Sequence, residues 1–581
     1  MDIIPRSWQD LHLELPSEMR SASLTTNQLA FYIEEQEKLV KELNAKRIKH
    51  NLYIAALKGR CNATASPINS LLPVDVLSEI FMHLVLTWSE SARPYSWFKV
   101  AHVCRYWRDV VFSSSRFFSY IRVPTANREH GPEWLRLARN CRLHLHISDE
   151  TCNTGGMRHH MWEEVLPHLA HTQSLLLQLH KPNHKEYAWP RCSMLTNLTW
   201  LTSSVVSPTC VKDAFDAMPN LQILETSTGT LGPDWTRYSL PSTITTLRVN
   251  HAKSVSYGIM EELFTRLHSL PSLKHLDLHG LSRNDYSANL SPRRCYSLYR
   301  LETLTLHGAM TPCFDVLNRV DLICNFDLDL YPDSPNDVKN IVSLPAILLA
   351  KLRGGSDDLP LPLLRTCAFE GGRMDDAGHW VMNLRGWPFE VPSEFPCTAS
   401  QGPYGPPLLS LAFSLDLEDE EFFDVVCSLL VDLRPLLEQT QRLKIAYDVT
   451  GSSSHVFLQR VIFSHLKHVR SLQTALEAPG FDPAEDDVPI SQLPSQLHPV
   501  NDDGSPLLPQ LRELYIAPEE VCPEFDSSFW VHLENDLRTR KSIDLQVDVL
   551  VLDMMPWCYL PNHDWQSQRV YIENCLRLSG S

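Results

Sequence analysis

The sequence predicts an α/β chain, α+β overall, in which a helical N-terminal part precedes a long body of alternating short strands and helices. Three observations predict it. Residues 25–58 run without Pro or Gly and order their charges as a helix prefers; residues 66–123 carry two amphipathic spacings; and from about residue 195 the phrase L-x-x-L-x-L returns at intervals that suit one strand per coil. At 581 residues, with 43% apolar and 21% charged side chains, the chain has the composition of a folded protein with room for a large core.

The first segment, 1–65, starts irregularly and turns helical near Thr25. Acids come first (Glu34, Glu35, Glu37) and bases follow (Lys46, Arg47, Lys49), the order that complements a helix dipole, while Leu29, Ile33, Leu39, Leu43, Leu52 and Leu57 supply apolar contacts. Gln36, Asn44 and His50 interrupt a sustained heptad. The expectation is therefore a long helix folded against the module that follows, with a short coiled coil as the alternative.

The second segment, 66–123, opens on Ser66-Pro67, and Pro73 marks a helix start because proline presets φ and is tolerated where its missing N–H is not needed. Asp75 in the first turn suits the dipole, and Val76, Leu77, Ile80, Phe81 and Leu84 make one broad apolar stripe. A second stripe follows with Val100, Val103, Cys104, Trp107 and Val111, predicting another amphipathic helix, and a third short element lies near Phe117–Ile121. Such a unit of some sixty residues has a marginal core by itself and predicts a partner.

Leu72-Pro73, Val76-Leu77, Ile80-Phe81 and the run Val103-Cys104-Arg105-Tyr106-Trp107-Arg108 resemble the F-box, a partner-binding helical module, in kind and order. Two departures stand out. The stretch Val85–Lys99, with Trp88, Tyr95, Trp97 and Phe98, is longer than the usual connection and is similar to fungal, basidiomycete-type members with a helical N-terminal extension; and Phe117-Phe118 stands where many members have Leu-Trp. The resemblance implies docking onto the Skp-type adaptor of a cullin-RING (SCF) ubiquitin ligase by helix-in-groove contacts, with Leu72, Pro73, Leu77, Ile80, Phe81, Val103, Cys104 and Trp107 as candidate partner-binding residues. Some of these must face the module's own core, and Trp107 is the most ambiguous. A plain helical hairpin buried in a larger domain is the competing reading.

From 124 to 581 the body repeats itself. Leu195/Leu198/Trp200, Leu221/Leu224/Thr226, Ile244/Leu247/Val249, Leu273/Leu276/Leu278, Leu301/Leu304/Leu306 and Leu317/Val320/Leu322 have middle positions 26, 23, 29, 28 and 16 residues apart. The phrases MPN, LPS and YR-L precede several of them and close helical arms such as Val211–Met218 and Met260–Leu270. Without the Asn of regular repeats after the strand, the pattern resembles a degenerate leucine-rich-repeat solenoid. Leu364–Phe369, Leu409–Leu415, Leu443–Tyr447, Leu466–Leu472 and Leu511–Ile516 continue it unevenly, and Pro-rich stretches at 386–407 and 478–506 read as loop insertions. Ordinary α/β packing is the alternative. Thr199, Asp277 and Thr305, each between two inward residues, are expected on the open face as weak target-binding candidates.

The net charge of −17 is uneven: 1–65 carries +1, 66–123 carries +2, and 124–581 carries −20, which disfavours nucleic acid as a partner. Fifteen cysteines without a C-x-x-C pair fit a reducing compartment, and no signal peptide or eighteen-residue apolar stretch is read, so a cytoplasmic or nuclear protein with no membrane partner is expected. Phosphate-loop, dinucleotide, nucleophile-elbow and zincin motifs are missing, and only 21 glycines are present. His159-His160 with Cys152 and His168 match no usual zinc spacing, and the acids Asp416, Glu418, Asp419, Glu420 and Glu421 read as a helix start. No catalytic residue, metal or cofactor is expected. The function expected is a non-catalytic, substrate-recruiting adaptor, with two alternatives: a scaffold that keeps the module without binding a ligase, or an enzyme with an unfamiliar site in the body.

Overall fold

The computed structural model describes residues 25–65, 71–89, 96–123, 131–148, 165–179, 189–202, 208–227, 239–250, 257–281, 295–321, 325–331, 341–353, 360–374, 380–391, 406–415, 419–448, 462–463, 465–477, 507–518, 527–545 and 547–552. The chain divides into two compact units, Met1–Tyr120 with Arg136–Cys141, and Ile121–Leu135 with Arg142–Ser581.

The first unit is helical. Helix α1 (Thr26–Ala65) spans 40 residues in one piece, and at its start the Thr25 N–H donates to Gln28 Oε1 at 3.0 Å, the reciprocal half of a capping box. It runs past Lys58, where the sequence reading ended it. Tyr32 and Gly59 are half-buried, and every other side chain described in α1 is exposed. The helix meets the module near its C-terminal end, where a Cβ on Gly59 would lie 3.9 Å from Arg105 Cδ, but its apolar residues are spread around its surface and stay in solvent, so less of it folds against the module than expected.

Helix α2 (Val74–Ser89) begins directly after Pro73, whose carbonyl accepts the Leu77 N–H at 3.1 Å. The apolar stripe expected over Val100–Val111 is divided between two elements: a 3₁₀ turn, Ser96–His102, and helix α3 (Arg105–Ser113). The physical reason is Cys104, which is extended (φ −155°, ψ 171°) and caps α3 by accepting the Trp107 N–H at its Sγ, 3.4 Å away. A short 3₁₀ turn, Ser115–Phe118, ends the module.

The second unit is built on one large sheet. Its strands are β1 (Tyr120–Val123), β2 (Leu143–Ser148), β3 (Thr172–Leu179), β4 (Asn197–Thr202), β5 (Ile223–Ser227), β6 (Thr246–Asn250), β7 (His275–Leu281), β8 (Thr303–Ala309), β9 (Asn325–Tyr331), β10 (Thr366–Met374), β11 (Trp380–Trp387), β12 (Leu409–Leu415), β13 (Arg442–Asp448), β14 (Ser471–Glu477), β15 (Glu513–Pro518) and β16 (Val549–Leu552). Neighbours follow chain order from β1 to β9; then β12, β11 and β10 are inserted in reverse before β13 to β16 complete the sheet. From β2 to β9 each pair is parallel, as are β9–β12, β10–β13 and the later pairs, whereas β11 is antiparallel to both β10 and β12.

Register explains the leucine spacing. Leu198, Leu224, Leu247, Leu276, Leu304 and Phe326 form one inward row across six strands, and each is no more than 1% exposed. Before several strands the chain turns tightly: the Leu221 N–H reaches Met218 O at 3.2 Å, Leu273 reaches Leu270 O at 3.4 Å, and Leu301 reaches Leu298 O at 3.0 Å. Helices α4 (Pro208–Ala217), α5 (Tyr257–Leu267), α6 (Met310–Arg319), α7 (Leu344–Leu352), α8 (Asp419–Asp432) and α9 (Ser527–Ser542) occupy the returns between strands.

Several positions differ from the sequence reading. The row starts well before Leu195, since β2 and β3 already belong to it. Leu317 lies in α6, and Val320–Asp321 pairs with Tyr296–Ser297 in a separate two-stranded sheet; the next strand of the large sheet is β9. The 16-residue step was shorter than the others, and the phrase that does mark β9 is Ile323/Phe326/Leu328, with Phe in its middle position 22 residues after Leu304. Strand β14 is shifted toward the C-terminus of the expected Leu466–Leu472. Strand β11 runs two residues into the first expected insertion, and the second insertion, 478–506, lies outside the described residues.

Candidate functional site

Two surfaces, one in each unit, carry the residues singled out by sequence. In the first unit, α2 presents opposite faces. Leu77, Phe81 and Val85, at i, i+4 and i+8, are buried to 1%, 1% and 0% exposure, and full burial of each contributes about 1.5–3 kcal/mol. Phe81 meets the Trp107 ring at 4.9 Å and Phe117 at 6.4 Å, while Trp97 packs at 6.1–6.3 Å from Phe117 and Phe118. These aromatics are the module's own core, so the Val85–Lys99 stretch places Trp97 inside.

Val76 and Ile80 lie one turn apart on the other face and remain 44% and 46% exposed. Leu71, Val74 and Val103 are also exposed, at 76%, 46% and 58%. The eight candidate residues therefore separate. Pro73, Ile80 and Val103 are exposed; Leu72, Cys104 and Trp107 are half-buried; Leu77 and Phe81 are sealed. The last two are thus not available to a partner, because the helical periodicity that groups them with Ile80 also rotates them about 100° away from Val76 and its neighbours. Cys104 serves the helix start, and Trp107 packs tilted against Phe81 in the core. Val76 and Leu71 join the exposed apolar residues; their neighbours in the Leu-Pro stretch were the signal.

Charges frame this surface without neutralising it. Arg116 pairs with Glu79 at 2.7 Å and Arg105 with Asp109 at 3.8 Å, both largely exposed and worth little to stability. The Arg108 Nε donates to Ala101 O at 3.0 Å and ties α3 to the preceding turn.

In the second unit, polar residues between the buried ones align across strands. Thr199, Glu225, Arg248, Asp277, Thr305 and Asp327 occupy one register row, so the three residues expected on the open face do share it. Sequence reasoning missed the residues that give the row its chemistry. Glu225 accepts from Thr199 Oγ1 at 3.4 Å and from Asn250 Nδ2 at 3.2 Å; Asp277 pairs with His279 at 2.6 Å and with Arg248 at 3.7 Å; His307 pairs with Asp329 at 3.0 Å. His279 and His307 stack at 5.3 Å. The hydrogen bond to Asp329 raises the His307 pKa above its ordinary value.

The phrase Leu-x-Leu-His-Gly, present at 276–280 and 304–308, is the signal that would have found the pair. Its glycines shape the strands: Gly280 (φ 71°) lies at a register shift in β7, which sets Leu281 opposite Gly308 (φ 152°). A Cβ on Gly308 would sit 2.4 Å from Leu281 O.

Beneath, Arg319 is fully buried and pairs with Asp315 at 2.7 Å and with Glu261, which also accepts from Tyr296 OH at 2.5 Å. Among the described residues, no group of three or more His, Cys, Asp or Glu could hold a metal ion, and no helix is long and apolar enough to cross a membrane. Cys152, His159 and His160 lie outside the described residues.

Comparison with known proteins places residues 70–122 in a match to the F-box-like family. A search of curated proteins finds no match.

Proposed function

With an F-box-like domain at residues 70–122, we propose that this chain is a substrate-recruiting adaptor of an SCF-type cullin-RING ubiquitin ligase. The module docks on a Skp-type adaptor, the body is a degenerate leucine-rich-repeat solenoid whose polar row takes a target protein, and ubiquitin transfer belongs to other subunits. The chain itself is non-catalytic and works in the cytoplasm or nucleus, without nucleic acid or membrane. The observation that carries this reading is the coincidence of the family match with Pro73, Val76, Ile80 and Val103, apolar or neutral side chains that the module's own core leaves in solvent. Buried in a partner groove, such anchors supply most of an interface's affinity.

The test is co-purification of the full chain with a purified Skp-type adaptor. Ile80→Asp combined with Val103→Asp is expected to weaken capture at least tenfold while leaving the melting temperature near that of the parent, since both side chains are already exposed. Capture of the double variant at parental strength would refute the docking surface, and no capture of the unaltered chain would favour a scaffold that does not engage a ligase.

A further inference from the structure

The 40 residues of α1 are one uninterrupted helix, so a heptad can be phased along its whole length. With Ile33 at a, the a positions are Ile33, Val40, Arg47, Ile54 and Cys61, and the d positions are Leu29, Gln36, Leu43, His50 and Leu57. Gln36 and His50 are thus polar layers within an unbroken seam, and Asn44 lies beside it at e; none of them is a slip of register. Every apolar seam residue is exposed in the single chain: Leu29 43%, Ile33 59%, Val40 55%, Leu43 54%, Ile54 48% and Leu57 48%.

We infer that α1 pairs with α1 of a second copy of this chain as a parallel, in-register two-stranded coiled coil. Three features point to this occupant. β-Branched residues at a with Leu at d select two parallel strands. One charged a layer, Arg47, tolerates a dimer, where its stem can reach solvent, and opposes larger bundles. Across a parallel seam the flanking g and e residues meet as Tyr32 with Glu37, Leu39 with Asn44, Lys46 with Asn51 and Tyr53 with Lys58, and no pair sets like charges together. The six apolar seam residues of two copies offer on the order of 1,000 Å² of covered surface before flanking residues are added, the lower limit for a specific interface.

The experiment measures the molar mass of the full chain at micromolar concentration by light scattering. Twice 66.4 kDa is expected. Val40→Glu with Leu43→Glu should return it to one chain with unchanged helical circular dichroism, while Ile48→Ser with Leu52→Ser, at 57% and 67% exposure but outside the seam, should leave the doubled mass. Mild oxidation should yield a Cys61–Cys61 cross-link, because a parallel pair brings these a positions within disulfide reach, and Cys61→Ser should remove the cross-link and keep the dimer. A single-chain mass for the unaltered protein, a dimer that survives the Val40/Leu43 change, or a dimer without the Cys61 cross-link each overturns the proposal.

Discussion

The consequences of α2's two faces are clearest one side chain at a time. Leu77→Ala removes a buried residue and is expected to destabilise the first unit by about 2–5 kcal/mol, read as a lower denaturant midpoint. Val76→Ala, one position away but 44% exposed, should leave that midpoint within about 0.5 kcal/mol and act on adaptor binding alone. A paired Leu77/Ile80 substitution would confuse folding with docking. In the second unit, Gly308→Ala drives a methyl into Leu281 backbone and forces φ 152° on an L side chain, for which a loss of about 1–3 kcal/mol is expected. Arg319→Met strands Glu261 and Asp315 without their cation, and a loss of about 3–5 kcal/mol should appear in the same urea titration.

At the level of elements, Arg540 ties α9 to a neighbouring turn. Arg540, 1% exposed, donates to Leu507 O at 3.1 Å and Leu508 O at 2.7 Å, the carbonyls of a turn where Leu508 takes φ 46°; burial pushes its pKa down to about 10. Arg540→Ala is expected to release α9, seen as faster amide exchange and new proteolysis within Ser527–Ser542, while β2 to β9, which lie in another part of the strand order, keep their protection. The elements also show what a reader of the sequence could see. Strands β4 to β8 were legible because Leu at fixed steps maps onto one inward row. Strand β9 was not, since Leu317/Val320/Leu322 copies the same spacing just before it and its own phrase, Ile323/Phe326/Leu328, has Phe in the middle; nor was β11, whose antiparallel course leaves no mark in spacing. Of the surface proposed for docking, the stripe was legible but its division was not, because adjacent residues such as Ile80 and Phe81 differ only in which way the helix turns them.

For the whole molecule, acid is the informative stress. Burial holds the His144, His168, His171 and His465 pKa values below 6.5, the His171 charge adding to the effect at His168. A histidine with a lowered folded pKa binds fewer protons than in the unfolded chain, so its contribution is intact above 6.5 and falls as pH drops toward the folded value. His307 has the opposite sign: its bond to Asp329 is favoured below 6.5 and fades as pH rises through the raised pKa. Four against one, the urea midpoint should fall between pH 7 and pH 5, and Asp329→Asn should steepen that fall. The reversed insertion of β12, β11 and β10 has a different outcome, in time. Leu304 finds Phe326 barely two dozen positions downstream, whereas Phe326 must wait for Leu409, more than eighty positions on. Loop closure of that span delays the joint. During synthesis the N-terminal strands can pair in turn as they leave the ribosome, while the exposed edge of β9 stays unpaired until three further strands have emerged, which makes that edge the place where a nascent chain most needs a chaperone.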